Sequence, residues 1–286
     1  MGASVSDRGA APGTRAHRVS RPFEVGEELI LVDSKGRQYL VVLRADGEFQ
    51  THTGVVPHTD LLGQDEGITL RSTTGARYTA MRPTLADFVL RMPRGAQVIY
   101  PKDLGPILIQ ADIHPGVRVL EAGVGSGALS MTMLRVGADI VGYEMREDFA
   151  AKARDNVRRF LGEDALARFR VEVRDVYEGI DERDLDRVVL DLPEPWQVVK
   201  HAELALRPGG LLLAYTPSVT QVAQLREALE DSGFHLAETI EVLQRKWYVE
   251  GQAVRPDHRM VAHTGFLTTA RLLGEIPGGL KSPRIV

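Results

Sequence analysis

The amino-acid sequence predicts an α/β fold in which a mostly parallel sheet, covered by helices, follows a small N-terminal β domain. Two observations support this fold class. From residue 117 onwards, short apolar runs typical of buried strands alternate with segments of helical periodicity. Between residues 28 and 81, β-like runs are separated only by short turns. A chain of 286 residues, 43% of them hydrophobic, can bury a core in each unit.

The pattern changes along the chain predict four regions. The first residues contain few large apolar side chains, which is typical of disorder. The hairpin-like runs end at Pro83, and the strand–helix alternation follows. The expected regions are a disordered tail (1–22), a small β domain (23–83), an α/β domain (84–275) and a C-terminal tail (276–286).

Two hairpins are expected in the β domain. Residues 28–33 and 37–43 flank a turn at Ser34-Lys-Gly36, and residues 68–71 and 76–81 flank a turn at 73–75. Short apolar runs joined by turns that contain glycine are typical of antiparallel pairs.

The α/β domain is predicted element by element from periodicity and capping residues. Helices are expected at 84–91 (capped by Thr84), 104–111, 128–135, 148–160, 195–206 and 220–232 (capped by Thr220, ended by Gly233). Strands are expected at 117–122, 139–144, 169–174, 187–191 and 211–215 (after a turn at 208–210), with further β-like stretches at 235–243 and 263–271.

A glycine-rich loop, Gly123-Val-Gly125-Ser-Gly127, joins the first strand of this domain to the next helix, as in Rossmann-like folds. Glycine permits the tight turn and leaves no Cβ between the backbone and a ligand. The spacing also satisfies a relaxed dinucleotide fingerprint, with Glu144 near the expected ribose-binding acid. NAD is therefore one candidate cofactor.

Acidic residues at successive strand ends favour S-adenosyl-L-methionine instead. Glu121 precedes the loop, Glu144 ends the second strand, Asp175 follows the third and Asp191 ends the fourth. Ligands of open α/β sheets bind at the carboxyl ends of strands, where these acids meet. Glu144 suits a ribose diol, Asp175 an adenine amino group, and the acids near the loop an ammonium group.

The segment Asp191-Leu-Pro-Glu-Pro-Trp196 indicates a nitrogenous base as substrate. It resembles the Asp/Asn-Pro-Pro-aromatic loop with which base-modifying methyltransferases hold the amino group of a base. Two prolines stiffen the loop, and the carboxylate accepts a hydrogen bond. Trp196 is either a stacking surface or a core residue at the start of a helix.

The overall charge of −4 alone argues against a nucleic-acid partner, but its distribution is uneven. Residues 67–102 have six basic side chains and one acidic one, a charge of +5, and residues 242–286 carry +4. Residues 111–241 carry −9. The basic flanks form either one surface that contacts phosphates or two unrelated solvated faces.

Several other classes are disfavoured by composition. The chain has no cysteine, so it has neither disulfides nor zinc–thiolate sites. The spacing of His52, His58, His258 and His263 matches no zinc pattern, and no metal is expected. No apolar run approaches the ~18 residues of a membrane span. A cytoplasmic protein without a membrane partner is expected.

Residues 23–273 resemble the bacterial and archaeal tRNA adenine-N1 methyltransferases that modify position 58 in the T loop. The motifs are Met92-Pro-Arg-Gly-Ala-Gln-Val-Ile-Tyr-Pro-Lys-Asp103, Val119-Leu-Glu-Ala-Gly-Val-Gly-Ser-Gly-Ala-Leu129, Asp191 to Trp196 and His263-Thr-Gly-Phe-Leu267. The first is specific to this family among methyltransferases, whereas the glycine loop is shared by many. Residues 174–178 differ among members.

The resemblance implies a class I methyltransferase domain, a tRNA substrate and a homotetramer, with the β domain helping to hold tRNA. It also implies that Tyr100 and Asp191 lie near the target adenine. The full set of expected cofactor-binding residues is Glu121, Gly123, Gly125, Ser126, Gly127, Ala128, Leu129, Glu144, Asp175 and Asp191.

Three alternatives stay open from the sequence. A methyltransferase acting on another RNA, a small molecule or a protein would have the same loop and would not need the basic flanks. An NAD-dependent oxidoreductase fits the relaxed fingerprint. A non-catalytic RNA-binding protein with this fold is disfavoured by the acids at the strand ends.

Overall fold

The computed structural model describes residues 21–95 and 97–274. The chain divides into two compact units, Met1–Arg82 and Pro83–Val286. The tails expected at 1–22 and 276–286 lie outside the described residues, apart from positions 21 and 22.

The first unit is built from antiparallel strands. The two expected hairpins are present, and in the described residues they form one four-stranded sheet in the order β2-β1-β6-β5. A further hairpin, β3–β4, was not predicted because its strands carry few apolar residues beyond Phe49 and Val56. The strands are β1 (Glu28–Asp33), β2 (Gln38–Val42), β3 (Glu48–Thr51), β4 (Gly54–Pro57), β5 (Thr69–Arg71) and β6 (Arg77–Met81).

The second unit alternates strands and helices. Its helices are α1 (Leu85–Arg91), α2 (Pro101–Gln110), α3 (Ala128–Arg135), α4 (Glu147–Leu161), α5 (Val199–Ala205) and α6 (Val219–Glu230). Its strands are β7 (Arg118–Ala122), β8 (Asp139–Glu144), β9 (Phe169–Val173), β10 (Leu185–Leu190), β11 (Leu206–Thr216), β12 (Phe234–Glu241), β13 (Trp247–Glu250), β14 (Ala253–Pro256) and β15 (Phe266–Leu272).

The main sheet of this unit has seven strands within the described ranges, in the order β12-β15-β11-β10-β7-β8-β9. Strands β11, β10, β7, β8 and β9 run parallel, and β15 runs antiparallel to both β11 and β12. Residues 119–122 of β7 and 187–190 of β10 are buried without alternation, as expected for central strands covered on both faces.

Helix α4 shows how the pattern produces the packing. Phe149, Ala153 and Val157 recur at the helical period, and all three are buried. Arg158 and Asp155 lie on the exposed face of the same helix. This apolar stripe is the side of α4 that packs on the sheet.

Some predicted boundaries were wrong. Helix α2 begins at Pro101 rather than at 104, because proline's fixed φ and missing N–H suit the first helical turn. Thr84 caps α1 as expected, but Ser218, not Thr220, caps α6, because the Ser218 hydroxyl accepts from the Gln221 amide and Gln221 returns the bond.

Other expected elements are divided or extended. The helix predicted at 195–206 is a 3₁₀ turn over Pro195–Val198 followed by α5. The turn predicted at 208–210 is part of β11, where the pairing with β10 is irregular. The hairpin β13–β14 was not predicted, because its exposed strands lack alternation.

Within the part of the chain that the structure describes, no helix has the length and apolar character required to cross a bilayer.

Candidate active site

The predicted acids lie at the carboxyl edge of four neighbouring parallel strands, β10, β7, β8 and β9. Glu144, Asp175 and Asp191 line a cleft of about 490 Å³ together with Gly123 and Gly125. A smaller cavity is also lined by Gly123, Gly125 and Asp191. Four more of the residues predicted to bind the cofactor line it: Glu121, Ser126, Ala128 and Leu129.

The glycine loop requires glycine at Gly123 for two reasons. Its φ is +85°, and a Cβ there would lie 2.1 Å from the backbone oxygen of Asp191. Gly125 and Gly127 also have positive φ values. Gly127 precedes α3, where a Cβ would lie 3.3 Å from Ala153 of α4. The loop therefore packs closely against both the Asp191 segment and a helix.

Glu144 supports the glycine loop from the end of β8. One carboxylate oxygen accepts from the Gly125 amide at 2.9 Å, and the other accepts from the Arg146 amide at 3.0 Å. A carboxylate has about four acceptor positions, so these two bonds leave capacity for a ligand diol.

Asp175 faces the same cleft from the loop after β9. Its Oδ1 accepts from the Tyr177 amide at 2.9 Å and caps a short 3₁₀ turn. The Tyr177 hydroxyl accepts from the Glu194 amide at 3.2 Å, which ties this loop to the segment after β10. Among the described residues, the other Asp175 oxygen has no hydrogen-bond partner.

Glu121 is fully buried beneath the loop. The Ser130 hydroxyl donates to its Oε2 at 2.6 Å, but Oε1 has no partner within the described residues. Burial raises the pKa of Glu121 to about 8, and the charges of Asp191 and Glu144 add to that increase. An unpaired buried carboxylate oxygen is costly and indicates a position for a cationic or donor ligand.

Asp191 immediately follows β10, and its amide donates to the Ala122 oxygen at 2.9 Å. Its carboxyl group makes no hydrogen bond to any residue that the structure describes. Burial raises the pKa of Asp191 to about 7, with a further contribution from the charge of Glu144. The Asp191 carboxyl group, which the sequence predicted to bind a nitrogenous base, is therefore available to a ligand.

Asn156 of α4 is a supporting residue that sequence reasoning missed. It is buried, and its Nδ2 donates to the backbone oxygens of Ser126 at 2.9 Å and Pro93 at 3.2 Å. It therefore joins the glycine loop to the segment before Tyr100. A polar residue within the apolar stripe of α4 was the available signal.

Tyr100 lines a different cavity from the acids. This cavity of about 870 Å³ is called the basic cavity here, because Lys102, Lys246, His258 and Arg259 are among its lining residues. Of the basic residues at 67–102, Lys102 lines this cavity, beside Lys246 and Arg259 of the C-terminal flank and the acidic Asp257.

Tyr215 connects this region to the acids and was also missed by sequence reasoning. It lies near the end of β11, beside the strand that leads to Asp191. Burial raises the pKa of Tyr215 to about 12, and the charges of Asp103, Asp191 and Tyr100 contribute. Its place at a strand end was the signal that could have identified it.

Trp196 does not line either the acid cleft or the basic cavity. It is half-buried in the 3₁₀ turn that begins at Pro195. This position favours the interpretation of Trp196 as a packing residue at the start of a helix.

The donor set fits a ligand with a diol, an adenine amino group and a cationic end. Two carboxyls, that of the buried Glu121 and that of the half-buried Asp191, adjoin the loop where a dinucleotide would place its pyrophosphate. Placing a dianion beside them is unfavourable, whereas an ammonium or sulfonium group is attracted. The residues therefore fit S-adenosyl-L-methionine better than NAD.

The fold and the acid-lined cleft define a Rossmann-like class I methyltransferase. Residues 78–255 match the family described as tRNA methyltransferase complex GCD14 subunit, and residues 22–70 match a TrmI-like N-terminal domain. The chain belongs to this family of methyltransferases.

Two relatives and one solved structure are similar to this chain over most of its length. The chain is 40% identical over 246 residues to tRNA (adenine(58)-N(1))-methyltransferase TrmI of Thermus thermophilus, covering 85% of this chain and 96% of the relative. It is 36% identical over 269 residues to the Methanocaldococcus jannaschii tRNA (adenine(57)-N(1)/adenine(58)-N(1))-methyltransferase TrmI, covering 85% and 94%. A SAM-dependent O-methyltransferase structure from Thermotoga maritima superposes with a TM-score of 0.85 at 30% identity, covering 92% and 100%.

Proposed function

We propose that this protein transfers a methyl group from S-adenosyl-L-methionine to N1 of adenine 58 in the T loop of tRNA. The observation that carries the proposal is Asp191, an unpaired carboxyl group at the edge of the cofactor cleft, in a chain whose curated relatives act on that adenine. The N-terminal β unit (23–83) is proposed to help hold the tRNA, and the catalytic unit is 84–275.

The cofactor is proposed to lie along the carboxyl edge of the sheet. Glu144 binds the ribose hydroxyls with its remaining acceptor capacity, and Asp175 accepts from the adenine amino group. Glu121 and Asp191 face the cationic end. The backbone groups of the loop complete the site through Gly123, Gly125, Ser126, Gly127, Ala128 and Leu129.

The chemistry requires alignment more than proton removal. Adenine N1 has an in-plane lone pair and no proton, so no strong base is required to create the nucleophile. When bound, S-adenosyl-L-methionine supplies the activated methyl group. Asp191 accepts a hydrogen bond from the N6 amino group and stabilises the positive charge that develops on the adenine ring. Tyr100 positions the base.

The basic cavity supports an RNA substrate over a small molecule. Lys246 and Arg259 are exposed there beside Tyr100, so they can contact phosphates while the target base is turned out of its stack. Unstacking a base costs a few kcal/mol, which phosphate contacts offset. A cytoplasmic location follows from a tRNA substrate and belongs to the same proposal.

A homotetramer is also proposed. The hairpin β13–β14 exposes Trp247, Val249 and Val254, with 58%, 68% and 60% of each side chain accessible. Exposed apolar groups of this kind are typical of an interaction surface. A second copy of the chain is the proposed occupant, and Val249→Glu is expected to reduce the mass measured by light scattering.

The experiment that tests the activity uses Asp191→Ala with an unmodified tRNA transcript and labelled S-adenosyl-L-methionine, followed by nucleoside analysis. The wild type is expected to produce 1-methyladenosine, and the variant to lose nearly all transfer while retaining cofactor binding. A methylated product other than 1-methyladenosine, or wild-type turnover by the variant, would contradict the proposal.

A second candidate function is methylation of a hydroxyl group, the activity named for the similar O-methyltransferase of Thermotoga maritima. An oxygen nucleophile requires a base to remove its proton, and the raised pKa of Asp191 would suit that role. Nucleoside analysis separates the two, because O-methylation leaves no 1-methyladenosine.

A further inference from the structure

We propose that a buried hydrogen-bonded cluster positions two tyrosines beside the acid edge of the sheet. The cluster, called the clamp, consists of Lys102, Asp103 and Thr264. The tyrosines are Tyr100 and Tyr215. The effect on catalysis rests on the proposed function, because Tyr100 is taken to position the target base.

The clamp begins with a buried ion pair. The Lys102 ammonium donates to Asp103 Oδ1 at 2.8 Å, and the two side chains are 3% and 0% exposed. The same ammonium donates to the backbone oxygen of Val242 at 2.6 Å. Desolvation offsets much of the attraction in a buried pair, so stability alone is a weak explanation for it. A geometric role explains why this pair also binds a distant backbone group.

The other Asp103 oxygen extends the cluster to a different part of the chain. The Thr264 hydroxyl donates to Asp103 Oδ2 at 2.6 Å, across 161 positions of sequence. Thr264 also lies beside Tyr215, and its side chain acts to lower the pKa of that tyrosine. A Cβ on the neighbouring Gly265 would lie 2.4 Å from the Tyr215 ring, so that ring packs directly on the backbone of this segment.

Tyr100 is held by the same aspartate through the backbone. The Asp103 amide donates to the Tyr100 oxygen at 2.8 Å, and Tyr100 is the residue that precedes α2. Asp103 therefore connects to Tyr100 through its amide and to the Tyr215 ring through Thr264 and the adjacent Gly265 backbone. Negative charge on Asp191 or Tyr100 raises the pKa of Tyr215, so these side chains lie near one another.

The clamp predicts a specific kinetic effect. It touches neither Glu144 nor Asp175 in the cofactor cleft, so loosening it leaves cofactor affinity unchanged. Small displacements of positioning groups reduce the rate of the chemical step much more than ground-state binding. A positioning residue therefore lowers kcat and leaves KM nearly constant.

The test compares Thr264→Val with Thr264→Ser. Valine has the same shape but removes the hydrogen bond to Asp103, and we expect kcat for tRNA methylation to fall about tenfold or more while the KM values for tRNA and S-adenosyl-L-methionine stay within about threefold. Serine retains the hydroxyl and is expected to restore kcat. Hydrogen exchange of the amides in residues 97–104 is expected to accelerate in the valine variant without any substrate present.

The matched control is Thr239→Val. Thr239 of β12 forms a 2.9 Å hydroxyl–hydroxyl bond with Thr268 of β15, and this bond involves none of the clamp residues. The Thr239→Val variant should lose a comparable free energy of unfolding. Its kcat and its amide hydrogen-exchange rates at residues 97–104 should stay at the wild-type values. A second variant, the double replacement Lys102→Met with Asp103→Leu, keeps the buried volume while removing the anchor of Thr264, and it should also lower kcat.

Unchanged kcat in Thr264→Val, or equal losses in Thr264→Val and Thr239→Val, would overturn the clamp. Unchanged hydrogen exchange at 97–104 would overturn it independently of activity. If the wild type does not methylate tRNA, the proposed function fails, whereas the exchange measurement still decides whether the clamp holds the Tyr100 segment.

Discussion

Gly123 lies against the backbone of Asp191 so closely that a Cβ at position 123 would be 2.1 Å from the Asp191 oxygen. The glycine loop and the segment proposed to bind the target base therefore have one packed geometry. A change in either segment is transmitted to the other through contact.

Gly123→Ala is expected to disturb both segments. The positive φ of Gly123 alone costs a side chain about 1–2 kcal/mol, and the collision with Asp191 adds to it. We expect cofactor affinity to fall at least tenfold by calorimetry. Gly116→Ala is the control, because Gly116 also has a positive φ but has open space at the Cβ position. Equal losses of affinity in both variants would contradict the packing argument.

Replacement of Asn156 tests the support of the loop from α4. Asn156→Asp places an oxygen where Nδ2 now donates to the Ser126 and Pro93 carbonyls. A buried unsatisfied or repelled polar group costs about 1–3 kcal/mol. We expect that loss in urea unfolding, together with weaker cofactor binding. Replacement of the exposed neighbour, Asp155→Asn, should change neither the free energy of unfolding nor cofactor binding. If Asn156→Asp also changes neither quantity, the hydrogen bonds from Asn156 to the loop are dispensable.

The pH dependence of the site follows from its raised pKa values. The Asp191 anion stabilises the developing charge, so kcat/KM, which reports the free enzyme, should rise as pH increases through about 7. Asp191→Asn should be low and flat across pH 6–8. Binding of the cationic cofactor should strengthen as Glu121 ionises near pH 8, because the anion attracts the cation. Glu121 and Asp191 titrate as an interacting pair.

Stability has the opposite pH trend in the unliganded protein. A raised pKa favours the protonated carboxyl in the folded state, so its contribution is full below the ordinary value of 4.5 and is lost as pH rises towards 8. Glu121→Gln should reduce the fall in free energy of unfolding between pH 5 and pH 8. An identical pH dependence in the variant and the wild type would contradict the assignment.

The basic cavity predicts a change in salt dependence. Removing Lys246 or Arg259 should weaken tRNA binding and reduce the slope of log affinity against log salt by about one unit each. The exposed Arg158 of α4 lies outside both the acid cleft and the basic cavity, so Arg158→Ala is the control. An unchanged slope in Lys246→Ala and Arg259→Ala would remove the cavity from the tRNA surface.

The sequence was sufficient for the parallel core because its strands carry continuous apolar runs that end in acids. Glu144, Asp175 and Asp191 were expected at one edge, and β-sheet topology places them there. The packing of Gly123 against Asp191 could not be read from the sequence, because it depends on the spacing between two loops in three dimensions.

Long-range hydrogen bonds were the other feature that local patterns could not supply. Asp103 and Thr264 lie in two motifs that are distant in sequence, and neither motif by itself indicates that the two side chains bond to each other. The hairpins β3–β4 and β13–β14 were missed because backbone pairing, rather than apolar alternation, defines them.

The central claim concerns the nucleotide that receives the methyl group. The most direct measurement compares methyl incorporation into two tRNA transcripts that differ only in carrying adenine or guanine at position 58. We predict stoichiometric 1-methyladenosine in the adenine transcript and almost no incorporation in the guanine transcript. Equal incorporation into both transcripts would contradict the assignment of adenine 58 as the substrate.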